Sequence, residues 1–249
     1  MEELKQRVMQ GYSRPWVVSK YSKVGLWPSE QHLCERFFSG GSRVLDLGCG
    51  AGRTTVPLRQ AGYEMVGVDL AYPMVAQARR VSNLLQQDCT FITADATALP
   101  FPNASYDCIL FSYNGIELIP KLTGKRRTLS ECFRILRQGG HLIFTTHAAE
   151  AANRYAPARL QRLGLHLLRK TLGRNLPDAE AGEIIPDPER TVEVYYMQIS
   201  SPRTYRRLIR EAGFEVAYYN SRSRIDLGKR PTHLADFDSE FKFYVARKP

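Results

Sequence analysis

Short apolar runs alternate along this chain with stretches whose apolar residues recur at helical spacing. Arg43-Val44-Leu45-Asp46-Leu47 predicts a strand that ends in Gly48-Cys49-Gly50-Ala51-Gly52, and helix-compatible sequence follows from Thr54 to Gln60. Glu64 to Leu70 predicts a second strand, with Pro73 placed at the first turn of a helix running to about Leu85. Thr90–Thr93 and Tyr106–Ser112 predict two more strands. Thr123–Leu136 predicts an amphipathic helix with Leu129, Cys132, Phe133 and Leu136 on one face, stopped by Gly139-Gly140 before a fifth strand at His141–Thr146.

Strands alternating with helices at this spacing predict βαβ units and a parallel sheet covered on both faces, an α/β fold. The rhythm breaks between 148 and 200, where a basic amphipathic stretch (Pro157–Leu172) precedes a Pro-, Asp- and Glu-rich loop (Pro177–Arg190) and an extended run (Thr191–Ile199). It resumes at Ser201-Pro202, read as the N-cap and first residue of a helix that Gly213 ends. Strands are predicted at Phe214–Asn220 and Phe241–Arg247; a polar connection without a helix joins them, so the last strand is expected to enter antiparallel.

Composition changes this picture little. The 249 residues are 43% hydrophobic and 24% charged, which excludes a disordered tail or a disulfide-stapled miniprotein and leaves a soluble domain with a large core. Cys34, Cys49, Cys89, Cys108 and Cys132 are scattered and form no CxxC pair, so neither a zinc site nor a disulfide framework is expected. No signal-peptide layout opens the chain and no apolar run approaches the roughly 20 residues of a membrane span, so a cytoplasmic protein is expected.

Charge adds more. The formal net charge is +10, yet residues 41–120 carry five basic and seven acidic side chains, and the basic excess falls between 121 and 230. A basic surface favours an anionic partner. Whatever it attracts differs from what 41–120 holds.

The glycine loop has two common readings, dinucleotide binding or S-adenosylmethionine binding. The dinucleotide fingerprint needs a third Gly three positions after the second, where this chain has Arg53. Asp46 is the sharper discriminator, because a carboxylate repels a pyrophosphate and favours an ammonium or sulfonium. A P-loop is excluded, since no Gly-Lys-Ser/Thr follows. Asp69 ends the second strand at the place where an acidic side chain accepts hydrogen bonds from ribose hydroxyls, and Asp95 follows the third, where a carboxylate would accept from an adenine amino group.

With these residues in place, the sequence resembles the class I S-adenosylmethionine-dependent methyltransferases, particularly the small-molecule group similar to the ubiquinone-biosynthesis methyltransferases. The resemblance is carried by Val44 to Gly52, Gly67-Val68-Asp69-Leu70 with Pro73-Met74, Ala94-Asp95-Ala96 with Leu99-Pro100-Phe101, Tyr106 to Leu110, Arg134 to Gly140, and Leu208 to Phe214. It implies a Rossmann-like seven-stranded sheet of order 3-2-1-4-5-7-6 with the last strand antiparallel, helices on both faces and a lid insertion. It also implies a single methyltransferase domain over 1–249, with Gly48, Cys49 and Gly50 lining the methionine part of the cofactor. Asp69 would hold the ribose, Leu70 would lie beside the adenine, Asp95 and Ala96 would contact its edge, and Phe111 would border the cofactor. The apolar run to a His pair found after the fourth strand in many relatives is here Ser112-Tyr113-Asn114-Gly115-Ile116-Glu117, so catalytic roles do not carry over.

On the acceptor side, the candidates are Tyr113 and Asn114 with Glu117 close behind, His147 after the fifth strand, and Tyr195 or Tyr196, of which at most one faces the pocket if the run is extended. A histidine's ordinary pKa suits a general base, which only a protonated acceptor requires. The aromatic segment at 1–40 (Tyr12, Trp16, Tyr21, Trp27) is expected to fold over the cofactor as a lid through Tyr21, and 148–200 to form an acceptor-side insertion. Lys125-Arg126-Arg127, Arg154, Arg159, Arg162, Arg169, Lys170 and Arg174 read first as a solvated face, and otherwise as attraction for an anionic acceptor or RNA. No RNA-binding module, Asn/Asp-Pro-Pro-Tyr motif or Pro-Cys nucleophile accompanies them. The expected activity is therefore O- or N-directed methyl transfer to a small molecule, with no metal. An RNA or protein methyltransferase and a non-catalytic S-adenosylmethionine-binding regulator are the alternatives.

Overall fold

A computed structural model of the protein describes residues 1–171, 180–186, 196–239 and 241–249. The predicted alternation is present. Strands β1 (Arg43–Leu47), β2 (Glu64–Asp69), β3 (Thr90–Thr93), β4 (Tyr106–Phe111) and β5 (Leu136–Thr146) run parallel. Helices α4 (Thr55–Gln60), α5 (Tyr72–Leu84), α6 (Gly115–Leu118) and α7 (Lys121–Ile135) lie between them. Three helices precede the sheet: α1 (Glu2–Tyr12), α2 (Pro15–Lys20) and α3 (Pro28–Phe37). After β5 come α8 (Ala156–Thr171), the two-residue strands β6 (Glu183–Ile184) and β7 (Met197–Gln198), α9 (Pro202–Glu211), β8 (Glu215–Ser221), α10 (Arg222–Asp226), a 3-10 turn (His233–Phe237) and β9 (Lys242–Arg247).

The main sheet has the order β3-β2-β1-β4-β5-β9-β8, and β9 enters antiparallel to both neighbours. With the small β6–β7 pair set apart, this is the expected order 3-2-1-4-5-7-6. The period of two along each strand divides its side chains between two cores. Leu45, Ile109, Leu142, Phe144 and Tyr244 meet α7 and α9 through Leu129, Cys132, Ile135, Tyr205 and Leu208. Val44, Cys108, Leu110, Ile143, Phe243 and Val245 meet Leu33, Cys34, Leu58 and Ile225 on the other face. Each large side chain so buried contributes about 1.5–3 kcal/mol. The Ser201 hydroxyl accepts from the Arg203 and Thr204 amides, capping α9 as predicted, a contribution of about 1 kcal/mol.

Three expectations are corrected. Gly139-Gly140 does not stop the preceding helix: α7 ends at Ile135, β5 begins at Leu136, and both glycines lie inside the strand, where the pairing with β4 shifts between Tyr106 and Cys108. Gly140 is needed there because a Cβ would stand 2.7 Å from the Asp107 carbonyl oxygen. The β8–β9 connection is not purely polar loop; it carries α10, whose Ile225 plugs the second core. Lys125 is not on a solvated face but fully buried, its ammonium donating to the Ile119 carbonyl (2.7 Å) and Gln198 Oε1 (3.0 Å). Its neighbours Arg126 and Arg127 are exposed.

Candidate functional site

The strand order reverses between β1 and β4, and ligands bind open α/β sheets beyond the carboxyl ends of strands at such a point. A cleft opens there that, with its mouth, encloses about 1110 Å³. Tyr21, Asp46, Gly48, Cys49, Gly50, Asp69, Leu70, Asp95, Ala96 and Phe111 all line it, so the ten residues proposed from the sequence for the cofactor are brought together.

The glycine loop holds its shape through two adjacent strands. The Cys49 amide donates to the Val68 carbonyl, and the Gly50 amide to Asp69 Oδ2, both at 2.9 Å. The other Asp69 oxygen accepts from the Ala71 amide at 2.9 Å, so one carboxylate ties the loop to the start of α5. Burial raises the Asp69 carboxyl above its usual range, and these backbone donors work against the rise. Gly48 has φ +68, and a Cβ on it would meet the Phe111 ring at 2.9 Å; a Cβ on Gly115 would strike the same edge of that ring. The ring, which lines the cleft, thus needs the space that both glycines leave.

Asp46 is 1% exposed, and its Oδ2 accepts from the Thr54 and Thr55 hydroxyls, each at 2.6 Å. Burial pushes its carboxyl up to about 6, against the two hydroxyl hydrogen bonds and the charge of Arg53. A buried carboxylate held by neutral donors in a mostly apolar cleft fits a ligand that brings its own positive charge. The sign of the pH effect follows. With Asp46 raised from 3.8 to about 6 on folding, the folded protein holds this proton more tightly than the unfolded chain. Stability from this group is therefore highest below about pH 4 and falls by up to about 3 kcal/mol as pH rises through 6. A cation in the cleft favours the ionised form, so S-adenosylmethionine affinity is expected to be about tenfold weaker at pH 5 than at pH 7. Titration calorimetry on the wild type and on Asp46→Asn checks this, the variant giving a flatter profile.

Asp95 is differently engaged. Its Oδ2 accepts from the Lys5 ammonium, and Oδ1 from the Thr97 amide (2.8 Å) and hydroxyl (2.9 Å). Burial opposes its ionisation, but Lys5 and Thr97 more than offset this and hold the carboxyl below its usual range. Lys5, Val8, Met9 and Tyr12 of α1 also line the cleft. The Tyr12 and Tyr21 rings lie 5.7 Å apart, Tyr21 meets Tyr113 edge-on at 5.8 Å, and Trp27 lies 5.1 Å from Tyr113.

Arg53, where the dinucleotide fingerprint has its glycine, forks onto the buried Glu30 carboxylate through Nη1 (2.9 Å) and Nη2 (2.5 Å). Its guanidinium also lies over the rings of Trp27 and Tyr113. Sequence reasoning gave Arg53 no role and missed Lys5. No local signal marks Lys5, whose partner is 90 positions away.

The acceptor-side candidates separate. Tyr113 lines the cleft and is 44% exposed; it and Asn114 take consecutive left-handed conformations (φ 52 and 62). The Asn114 amide donates to Thr145 Oγ1 at 2.8 Å, whereas its buried Oδ1 has no hydrogen-bond partner. His147, like Asn114, does not line the cleft; its Nδ1 lies 2.6 Å from Glu117 Oε2, and its backbone amide donates to Oε1 at 2.8 Å. Its ring meets Phe241 edge-on at 4.9 Å. Tyr196 does not line the cleft; its hydroxyl donates to Glu183 Oε1 and accepts from the Lys121 amide, both at 2.9 Å, and burial raises its pKa. Tyr195, Arg174 and most of the run predicted at Thr191–Ile199 lie outside the described residues. Glu180 accepts from the Leu122 amide and Gln198 Nε2. Burial lowers the Lys125 ammonium to about 7, against the pull of Glu117, Glu180 and Glu183. Among the described residues no His, Cys, Asp and Glu cluster could hold a metal ion, and no helix is long and apolar enough to cross a membrane.

Comparison with known proteins agrees with this geometry. Residues 44–140 match the family model described as a methyltransferase domain. The chain is 30% identical over 193 residues to the ubiquinone/menaquinone biosynthesis C-methyltransferase of Cronobacter sakazakii, covering 72% of this chain and 69% of that protein. It is 36% identical over 103 residues to a demethylmenaquinone methyltransferase of Beutenbergia cavernae, covering 41% of this chain and 40% of that one. The chain spans less than half the length of several such curated relatives. A solved S-adenosylmethionine-dependent methyltransferase of Methanosarcina mazei shares the fold, with a TM-score of 0.66 at 20% identity over 90% of this chain and 99% of that one. The chain belongs to the class I S-adenosylmethionine-dependent methyltransferases. Within them it is related to the menaquinone-type, small-molecule members.

Proposed function

We propose that this protein transfers a methyl group from S-adenosylmethionine to a small organic acceptor, at an oxygen or a nitrogen. The reading is carried by the convergence of Asp46, Asp69 and Asp95 with the glycine loop in one cleft whose remaining wall is apolar and aromatic. The names of the relatives, methyltransferases of quinone biosynthesis, support a small organic acceptor.

When bound, the cofactor supplies an already activated methyl group, so orientation provides much of the acceleration. Asp69 would hold the ribose and Asp46 the cationic end. The roof of Lys5, Met9, Tyr12 and Tyr21 would exclude water. The segments 1–40 and 148–200 would close over the acceptor as lids. An acceptor hydroxyl or ammonium must lose a proton, and the His147–Glu117 pair supports this part of the reading. Nδ1 is tied to a carboxylate, leaving Nε2 to take the proton while Glu117 steadies the resulting imidazolium.

The test is incubation with methyl-labelled S-adenosylmethionine and fractionated cell extract. Label in small organic molecules is expected. Label confined to RNA or protein, or tight cofactor binding without any transfer, overturns the reading. Replacing His147 by Gln is expected to lower kcat about 10²–10⁴-fold, the range for a general base, with the affinity for S-adenosylmethionine unchanged. An unaltered kcat removes His147 from the chemistry, and label on carbon removes the O- or N-directed part.

A further inference from the structure

Helix α1 (Glu2–Tyr12) presents one side to the cleft. Lys5, Val8, Met9 and Tyr12, spaced by three and four, line the cavity, whereas Glu3, Gln6 and Gln10 are exposed on the side away from it. The helix is joined to the body by a short link, Ser13-Arg14, before Pro15 starts α2. A helix on such a link can swing as a unit, so what matters is how its cleft side is fastened.

One ion pair of α1, Arg7 with Glu3, stays within the helix. The Lys5 ammonium leaves it and crosses to the end of β3, donating to Asp95 Oδ2 at 2.5 Å and to Thr97 Oγ1 at 3.0 Å. These two side chains, Lys5 and Asp95, are 14% and 29% exposed, so bulk ions screen the pair only in part. At the other end of α1 the fastening is an aromatic contact, Tyr12 with Tyr21 at 5.7 Å. A carboxylate has about four lone-pair positions. Lys5 and the Thr97 amide and hydroxyl take three, which leaves one on Oδ2 for the adenine amino group that Asp95 would accept. Lys5 and the cofactor therefore do not compete for Asp95, and the pair can hold α1 down over an empty or a filled cleft.

We infer that Lys5 is a positioning residue that latches α1 over the cleft through Asp95, and that S-adenosylmethionine enters and leaves when this pair opens. The latch rests on the cofactor reading above, but exchange is measured without an acceptor, so a failed latch and a failed methyl transfer are distinguishable. A gate acts on both directions alike: weakening it speeds association and dissociation together and leaves Kd nearly unchanged. Loss of a plain cofactor contact speeds dissociation alone. Loss of a cation beside a ligand of net positive charge speeds association and slows dissociation.

The test is rapid filtration of the full chain with labelled S-adenosylmethionine, giving both rates, with calorimetry for Kd. Lys5→Met is expected to raise both rates about five- to tenfold, the effect of losing a charge-assisted hydrogen bond, with Kd changed less than about twofold. Wild-type exchange is expected to quicken about threefold between roughly 0.05 M and 0.5 M salt, and that of Lys5→Met much less. Lys5→Arg keeps a charged donor and is expected to restore slow exchange. The melting temperature of each variant checks that the fold is intact. Unchanged rates in Lys5→Met, a change in dissociation alone, or rates that move in opposite directions would each overturn the latch.

Discussion

Asp69→Ala is expected to weaken S-adenosylmethionine binding by roughly ten- to a hundredfold, since a hydrogen bond to a charged group is worth about 1.5–3 kcal/mol and each 1.4 kcal/mol is tenfold. The carboxylate acts twice. It would accept from the cofactor's ribose, and it already holds the Gly50 and Ala71 amides at 2.9 Å, keeping the loop against the first turn of α5. Truncation therefore removes a ligand contact and frees two amides that the loop geometry depends on. Asp69→Asn keeps the shape and one acceptor oxygen and is expected to fall between the wild type and Ala. Calorimetric titration measures both, with circular dichroism to check the fold. An affinity for Asp69→Ala equal to that of the wild type would sink the cofactor assignment.

Arg53→Met is expected to destabilise the protein by about 3–5 kcal/mol, the range seen when one partner of a buried ion pair is removed. Glu30 is fully buried, and Arg53 is its cationic partner; the same carboxylate also accepts from the Trp27 amide (2.7 Å) and from the Ser112 hydroxyl. One ion pair thus joins α3, the glycine loop and the end of β4. Its loss leaves a charge stranded in the interior. For a chain of this size each kcal/mol corresponds to roughly 2–4 °C in Tm, so the melting temperature should drop by on the order of 10 °C. Adding Glu30→Gln removes the stranded charge and is expected to recover part of the loss. A melting temperature for Arg53→Met within a degree or two of the wild type would show that the pair is not a clamp.

The electrostatic division along the chain has a physical counterpart. The slightly acidic stretch 41–120 supplies the three carboxylates of the cleft. The basic excess downstream has no single use: Lys125 is buried against the Ile119 carbonyl and Gln198, Arg126 pairs with Glu211, and Arg206 pairs with Asp236.

The alternation of strands and helices, the loop Gly48–Gly52 and the carboxylates at three strand ends follow from the sequence alone, and the strand order from the family resemblance these motifs carry. They depend on local rules: the period of two, the period of 3.6, and the chirality that puts every βα turn at one end of a parallel sheet. With that resemblance, ten residues spread from Tyr21 to Phe111 could be gathered before any coordinates were known. Whatever depended on contact between distant segments could not. Lys5 on Asp95, Glu30 on Arg53, Glu117 on His147, and Tyr196 turned to Glu183 away from the cleft are set by where the packed helices finally lie. The same is true of Lys125, whose place in a basic run reads as exposed until Gln198 and the Ile119 carbonyl close over it. Spacing along a chain specifies which face a residue occupies. Only the folded molecule decides what that face meets, because burial and pairing are properties of two surfaces and the sequence describes each surface alone.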